Sequence, residues 1–309
     1  MRLARILFAL GTLVAVPTAS FAEDADAYYK QGLAYKQQGK ADEAIGALEK
    51  AVAANPKHGM AWSSLGNLYK AKGDIAKAVD AYEKATAVIK KDKVLWSNLG
   101  MAYYRAGEKL DKAAQQAQWD KAIAALEEGK KLAPNDAEIR ANLGTIKRQK
   151  GDINGAITEL EVATKNKPDD GAYWNNLGVA YQKAKRPDDA IKAYEKASAL
   201  SPNDPKLHFN IGVGYRLKQE YEKAIPAYEK AVGLEPEFKD AWWDLAQSYK
   251  ADRQNDKAIA AFQKWLDLNK GVDSKDKKEA EEAIGSMGGS TKKDPPKKDG
   301  PKKAPPKKK

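Results

Sequence analysis

No cysteine occurs in the 309 residues. That absence removes disulfides, thiolate-held zinc or iron–sulfur sites, cysteine nucleophiles and the anchoring cysteine of a bacterial lipoprotein together. Histidine is nearly as scarce: His58 and His208 are the only two, so imidazole metal centres and catalytic triads have almost nothing to build on. No glycine-rich phosphate loop follows a strand pattern, and no stretch alternates apolar and polar residues as a strand would. Carboxylates are plentiful but scattered as on any helical surface, so a pair of them carries no weight alone. No catalytic residue, metal, cofactor or small-molecule substrate is expected. The 42% apolar content nevertheless supplies a core and excludes wholesale disorder.

The net charge of +11 suggests nucleic acid until it is located. Residues 1–22 carry +2 and residues 292–309 carry +7, which leaves +2 for residues 23–291. The body is nearly neutral, so no nucleic-acid face is expected. Arg2 and Arg5 precede an apolar run, Ile6 to Val16, then Pro17 and the triplet Ser20-Phe21-Ala22. This is the layout of a cleavable secretory signal, with cleavage after Ala22; the run is too short for an ordinary membrane span, the alternative being a retained anchor.

An internal period fills the middle. Gly-x-x-Tyr recurs at Gly32/Tyr35, Gly66/Tyr69, Gly100/Tyr103, Gly178/Tyr181 and Gly212/Tyr215. Twelve residues after a glycine stand Ala44, Ala78, Ala190 and Ala224, with further matches at Gly144/Ala156 and Ala246/Ala258. Pro56, Pro134, Pro168, Pro202 and Pro236 punctuate the unit ends. The fullest motifs are Trp62, Leu65, Gly66, Tyr69, Ala78, Tyr82, Ala85 and Trp174, Leu177, Gly178, Tyr181, Ala190, Tyr194, Ala197, Pro202.

These residues resemble the tetratricopeptide repeat (TPR) family, in which each unit of 34 residues is a helix–turn–helix. The resemblance implies an all-α, right-handed solenoid of seven units, at 25–58, 59–92, 93–136, 137–170, 171–204, 205–238 and 239–272. Small residues are needed where the two helices of a unit cross, aromatics fill the wider gaps, and proline ends the second helix. Each unit buries its apolar face against neighbours, so the last face needs a polar cap. Residues 273–286, rich in Lys, Glu and Asp, read as that capping helix.

Four departures stand out. The third unit is ten residues too long near Glu108 to Ala117, and its helices are expected to protrude as a longer hairpin. Arg140 and Lys147 replace the usual Trp and Tyr, giving either loose packing or, with Arg148, a docking spot. Pro226 should be tolerated if it lies in the first turn of its helix. Trp265 replaces a usual Ala and is expected to contact the cap. His58, at a unit boundary, is expected at the surface, and His208, at the usual Trp place, in the core.

In TPR proteins the first helix of each unit lines a concave groove. Two residues before each glycine stand Asn98, Asn142, Asn176 and Asn210, with Asp244 after them and Lys30 and Ser64 before. The row resembles the asparagine ladder of the O-GlcNAc transferase superhelix, which grips an extended peptide. An amide matches one peptide unit in both donor and acceptor; the other reading is that these asparagines bridge adjacent units. Four residues after the glycine place come Lys36, Lys70, Arg148, Arg216 and Lys250, with Tyr104 and Gln182 among them. Their charge favours an acidic or carboxylate-ended peptide. The carboxylate clamp of chaperone-binding TPRs is incomplete, with only Asn176 and Lys206 in matching places.

From Met287 the pattern breaks into Gly, Pro and Lys, which reads as a disordered basic tail over 287–309. Its Lys292, Lys293, Lys297, Lys298, Lys302, Lys303, Lys307, Lys308 and Lys309 suit anionic lipid or envelope polymer, or serve only as a solubilising spacer. The expectation is an exported scaffold, in the periplasm or envelope of a Gram-negative-type bacterium. It would hold a protein partner for pilus, secretion, motility or cell-wall machinery. The rivals are a surface adaptor driven by the tail and, more remotely, a regulatory subunit of an envelope enzyme.

Overall fold

A computed structural model describes residues 18–270 and 274–290, with side chains from Glu23 onward. Among the described residues there are fifteen helices and no strand. In chain order they are α1 Thr18–Gln37, α2 Ala41–Ala54, α3 Gly59–Lys72, α4 Ile75–Val88, α5 Lys93–Gly107, α6 Lys112–Leu132, α7 Ala137–Lys150, α8 Ile153–Asn166, α9 Gly171–Lys183, α10 Pro187–Leu200, α11 Pro205–Leu217, α12 Tyr221–Leu234, α13 Lys239–Ala251, α14 Asn255–Leu268 and α15 Lys275–Ser286. Most of the expected leader, residues 1–17, lies outside the described residues; 18–22 are the first turns of α1.

The starts and stops follow from local chemistry. Asp74, Asp92, Asp111, Asp152, Asp170 and Asp204 each accept backbone N–H groups at the start of a helix, as a capping carboxylate should. In every pair but the third, the first helix ends in a left-handed residue, and the next N–H reaches back five residues. Lys40 N–H donates to the Tyr35 carbonyl, Asp74 to Tyr69, Asp152 to Lys147, Arg186 to Tyr181, Glu220 to Tyr215 and Gln254 to Tyr249. The left-handed residue is Gly39, Gly73 or Gly151 in three of these turns, but Lys185, Gln219 and Arg253, at φ 58, 61 and 61°, in the other three.

The chain forms two compact units, Met1–Ile146 and Lys147–Lys309, with α7 running across the boundary. In the first, α1 packs on α2, α3 on α4 and α5 on α6, and α2 also packs on α3 and α4 on α5. In the second, α9 pairs with α10, α11 with α12 and α13 with α14, and α15 closes on α14. The crossings are as tight as the small residues require. A β-carbon on Gly66 or Gly212 would stand 2.5 or 2.6 Å from the ring of Tyr82 or Tyr228. Those tyrosines are fully buried, as is Phe262, which lies in one core cluster with the buried Ala246.

A second regularity joins each pair to the loop before it. Trp62 donates its indole N–H to the Pro56 carbonyl, Trp96 to Lys90, Trp174 to Pro168 and Trp242 to Pro236, at 2.8–2.9 Å. Arg140 Nε does the same to Pro134 at 2.7 Å and His208 Nε2 to Pro202 at 2.8 Å. Lys147 ion-pairs with Glu159 at 2.9 Å. Arg140 and Lys147 are therefore bonded residues, each engaged at the place where Trp and Tyr are usual.

Other expectations change. The long third pair is lengthened almost wholly in α6, which has 21 residues against 15 in α5. Trp119 locks the extension down: it is buried, stacks on Tyr104 at 5.6 Å and donates to the Tyr104 carbonyl. His58 is not a surface residue; its side chain is only 11% exposed, accepts from Ala61 N–H at the start of α3 and donates from Nε2 to Asp26. Pro226 sits past the first turn of α12, on an exposed position, where it deletes one interior hydrogen bond. Residues 287–290 are not part of a loose tail: Met287 packs on the core and Gln263 donates to the Ser290 carbonyl. The tail lysines lie outside the described residues.

Candidate peptide groove

The first helix of each pair presents the residues singled out for binding, and several are already engaged. Lys70 on α3 donates to Asn98 Oδ1 on α5 at 3.0 Å. Burial, and then the nearby Arg105, hold the Lys70 ammonium below the ordinary lysine range. Asn210 on α11 donates to Asn175 on α9 at 3.2 Å. Asn98 and Asn210 thus bridge adjacent pairs, as the second reading of the row required. Asn142 and Asn176 are half-buried and have no hydrogen-bond partner among the described residues. Each keeps a donor and an acceptor for a ligand.

The cations divide in the same way. Lys36 and Lys250 are exposed. Arg148 is half-buried, and its Nε lies inside without a hydrogen-bond partner. Arg216 is spent on its neighbours: Nε donates to the Tyr228 hydroxyl at 3.2 Å and a guanidinium nitrogen stands 3.5 Å from Asp244. The same Tyr228 hydroxyl donates to Asp244 at 3.3 Å. Burial pushes the Asp244 carboxyl up, and the charge of Arg216 pulls it back only in part. Of the five cations expected to draw an acidic peptide, that leaves Lys36 in the first unit and Arg148 and Lys250 in the second.

In the second unit lie two adjoining hollows of about 350 and 330 Å³ that share Trp243 and Asp244. Trp243 packs on Trp265 at 4.8 Å and edge-on to Phe262 at 5.6 Å. Among the described residues no group of three or more His, Asp or Glu could hold a metal ion, and no helix is long and apolar enough to cross a membrane.

One ladder escapes the motif search. Tyr69, Tyr103, Tyr181, Tyr215 and Tyr249 donate their hydroxyls to Glu49, Glu83, Glu161, Glu195 and Glu229, each twenty residues earlier on the preceding pair. A cation covers the ring in several: Lys77 at 5.4 Å over Tyr69, Lys223 at 5.7 Å over Tyr215, Lys257 at 5.3 Å over Tyr249 and Arg186 at 4.5 Å over Tyr181. The constant Glu-to-Tyr interval is the sequence signal that would have disclosed it.

Three family models, each described as tetratricopeptide repeat, match residues 29–92 with 215–272, 113–179, and 172–204. The chain belongs to the tetratricopeptide repeat family. A search of curated proteins gives no match. Among solved structures, the TPR chain resembles a tetratricopeptide repeat protein from Parabacteroides merdae, 15% identical, over 84% of this chain and 98% of that one, with a TM-score of 0.57. It also resembles YrrB, described as a TPR protein with an unusual peptide-binding site: 19% identical, 62% and 93% covered, TM-score 0.54. MamA follows at 24% identity, with 58% and 92% covered and a TM-score of 0.52. At such identities the likeness is one of TPR fold.

Proposed function

We propose that this TPR chain is a non-enzymatic scaffold that holds an extended segment of a protein partner along its first helices. The observation that carries the reading is that each unit leaves one half-buried amide of the row without a partner, Asn142 in the first and Asn176 in the second. An unpartnered, partly desolvated amide is a cost to the free protein that a peptide backbone relieves. The family is one of protein-interaction scaffolds, and YrrB, of the same fold, has a peptide-binding site. We further propose export, from the Arg2/Arg5 start, the apolar run and the Ser20-Phe21-Ala22 triplet, and assembly of an envelope complex as the purpose.

The test is a cross-linked capture from envelope extract, comparing wild type with Asn142→Ala/Asn176→Ala, alongside melting curves. A specific protein lost in the variant at unchanged melting supports the scaffold. Identical catches end the amide reading, and a collapse in melting makes the two asparagines structural. Intact mass of the exported chain, starting at Glu23, tests the leader. If removal of 291–309 abolishes all capture while the asparagine variant captures normally, the lysine-rich segment is the adaptor instead.

A further inference from the structure

The smaller of the two hollows is lined by Phe209, Asp240, Trp243, Asp244, Trp265 and Asp276, contributed by α11, α13, α14 and α15. Its chemistry differs from the rest of the first-helix face. Three aromatic rings form the wall, and Phe209 is held in turn by Phe238 at 5.0 Å and Tyr228 at 5.7 Å. Three carboxylates surround them. Asp244 is occupied by Arg216 and Tyr228, but Asp240 and Asp276 are exposed and have no ion-pair or hydrogen-bond partner among the described residues. Lys239 and Lys275 neighbour them in sequence without pairing to them. Aromatic faces combined with unpaired carboxylates select a cation on a slender apolar stem, which is a lysine side chain.

The chain carries such side chains close by. Ser290 is tied to Gln263 on α14, the helix that also supplies Trp265. Beyond it, lysine pairs recur every five residues, at Lys292-Lys293, Lys297-Lys298, Lys302-Lys303 and Lys307-Lys308. Residues 291–309 have an extended contour of about 60 Å, while α13 and α14 are each only about 20 Å long. Reach is ample, and the tether gives the lysines a high effective concentration at the hollow. We propose that this hollow is a receptor for lysine ammonium groups and that its occupant is the chain's own 292–309 segment, the lysine pairs exchanging within it. The inference does not depend on the peptide reading of Asn142 and Asn176.

Because the chain has no cysteine, Ala304→Cys gives a single nitroxide site on the full-length protein. With that label, the indole signals of Trp243 and Trp265 should broaden at least threefold more than that of Trp174. The excess should vanish in Asp240→Asn/Asp276→Asn, whose exposed positions leave the fold intact, and in high salt. Isotope-labelled chains without nitroxide, mixed with nitroxide chains of natural isotopes, should show no broadening. Equal effects on the three tryptophans, or an excess that survives the Asn variant, would overturn the receptor. Broadening between mixed chains would replace the chain's own segment with that of a second copy.

Discussion

Tyr194 lies so close beneath Gly178 that a β-carbon on the glycine would stand 2.5 Å from Cε1 of its ring. The contact sets the distance between α9 and α10, and Tyr194 is fully buried because nothing separates the two. Gly178→Ala should destabilise by about 1–3 kcal/mol, and Gly178→Leu by more, through overpacking. Gly46, inside α2, has nothing within 4 Å of its notional β-carbon. Gly46→Ala should instead stabilise by about 0.5–1 kcal/mol. Denaturation midpoints of both variants check this, and a shift in the same direction would contradict the packing account.

The left-handed turn residues make the opposite use of glycine. Lys185, Gln219 and Arg253 stand where Gly39, Gly73 and Gly151 stand in earlier pairs. A side chain in that conformation is strained by roughly 1–2 kcal/mol, offset in part by the unfolded-state entropy that glycine adds. Gln219→Gly should raise stability by about 0.5–1 kcal/mol and Gly73→Gln should lower it by a similar amount. Thermal melting of the pair decides the matter.

His208→Phe keeps a buried ring but loses the Nε2–H that reaches the Pro202 carbonyl. The loss should be about 0.5–1.5 kcal/mol, typical of one hydrogen bond. His208→Gln retains an N–H donor and should recover part of it. Equal melting of the Phe and Gln variants would show that the bond to the loop is immaterial.

Alkaline pH should unfold the protein through its tyrosines. Burial pushes the Tyr82 hydroxyl up to about 12. Burial first, then the paired glutamate, holds Tyr69, Tyr103, Tyr181 and Tyr249 well above the ordinary phenol range. The folded state keeps protons that the unfolded state releases near pH 10, so this stability is fully present below about pH 10 and is lost as pH climbs through the raised values. Melting temperature should therefore fall steeply above about pH 10, and Tyr103→Phe or Tyr249→Phe should flatten that slope. In the difference between wild type and Tyr103→Phe, which isolates one ladder hydroxyl, phenolate absorbance that rises before unfolding begins would refute the assignment.

The pairing of helices is legible in the sequence because it rests on residue size at short, repeating intervals: Gly178 with Tyr194, Gly212 with Tyr228, Ala246 with Phe262. What escapes is bonding over long intervals. Asn98 reads as a free amide until Lys70, twenty-eight residues away, is placed on it, and Asn210 until Asn175 is. His58 reads as a boundary residue, yet Asp26 and Tyr29, supplied from α1, cover it. Arg140 reads as a packing defect when compared with tryptophan by shape, whereas the N–H donor is the property that matters at that place.

The Glu-to-Tyr ladder divides the chain into two kinds of interval. From each glutamate to its tyrosine there are twenty residues, spanning the end of one pair and the start of the next, and one added residue would pull the hydroxyl out of register. From a ladder tyrosine onward to the glutamate of its own pair no such bond is stretched. The third pair's additional residues fall in that second interval, between Tyr103 and Glu127, where α6 simply grows outward over Trp119. The protein therefore carries its own map of where foreign sequence can be spliced: the tips between paired helices are permissive, and the joints between pairs are not.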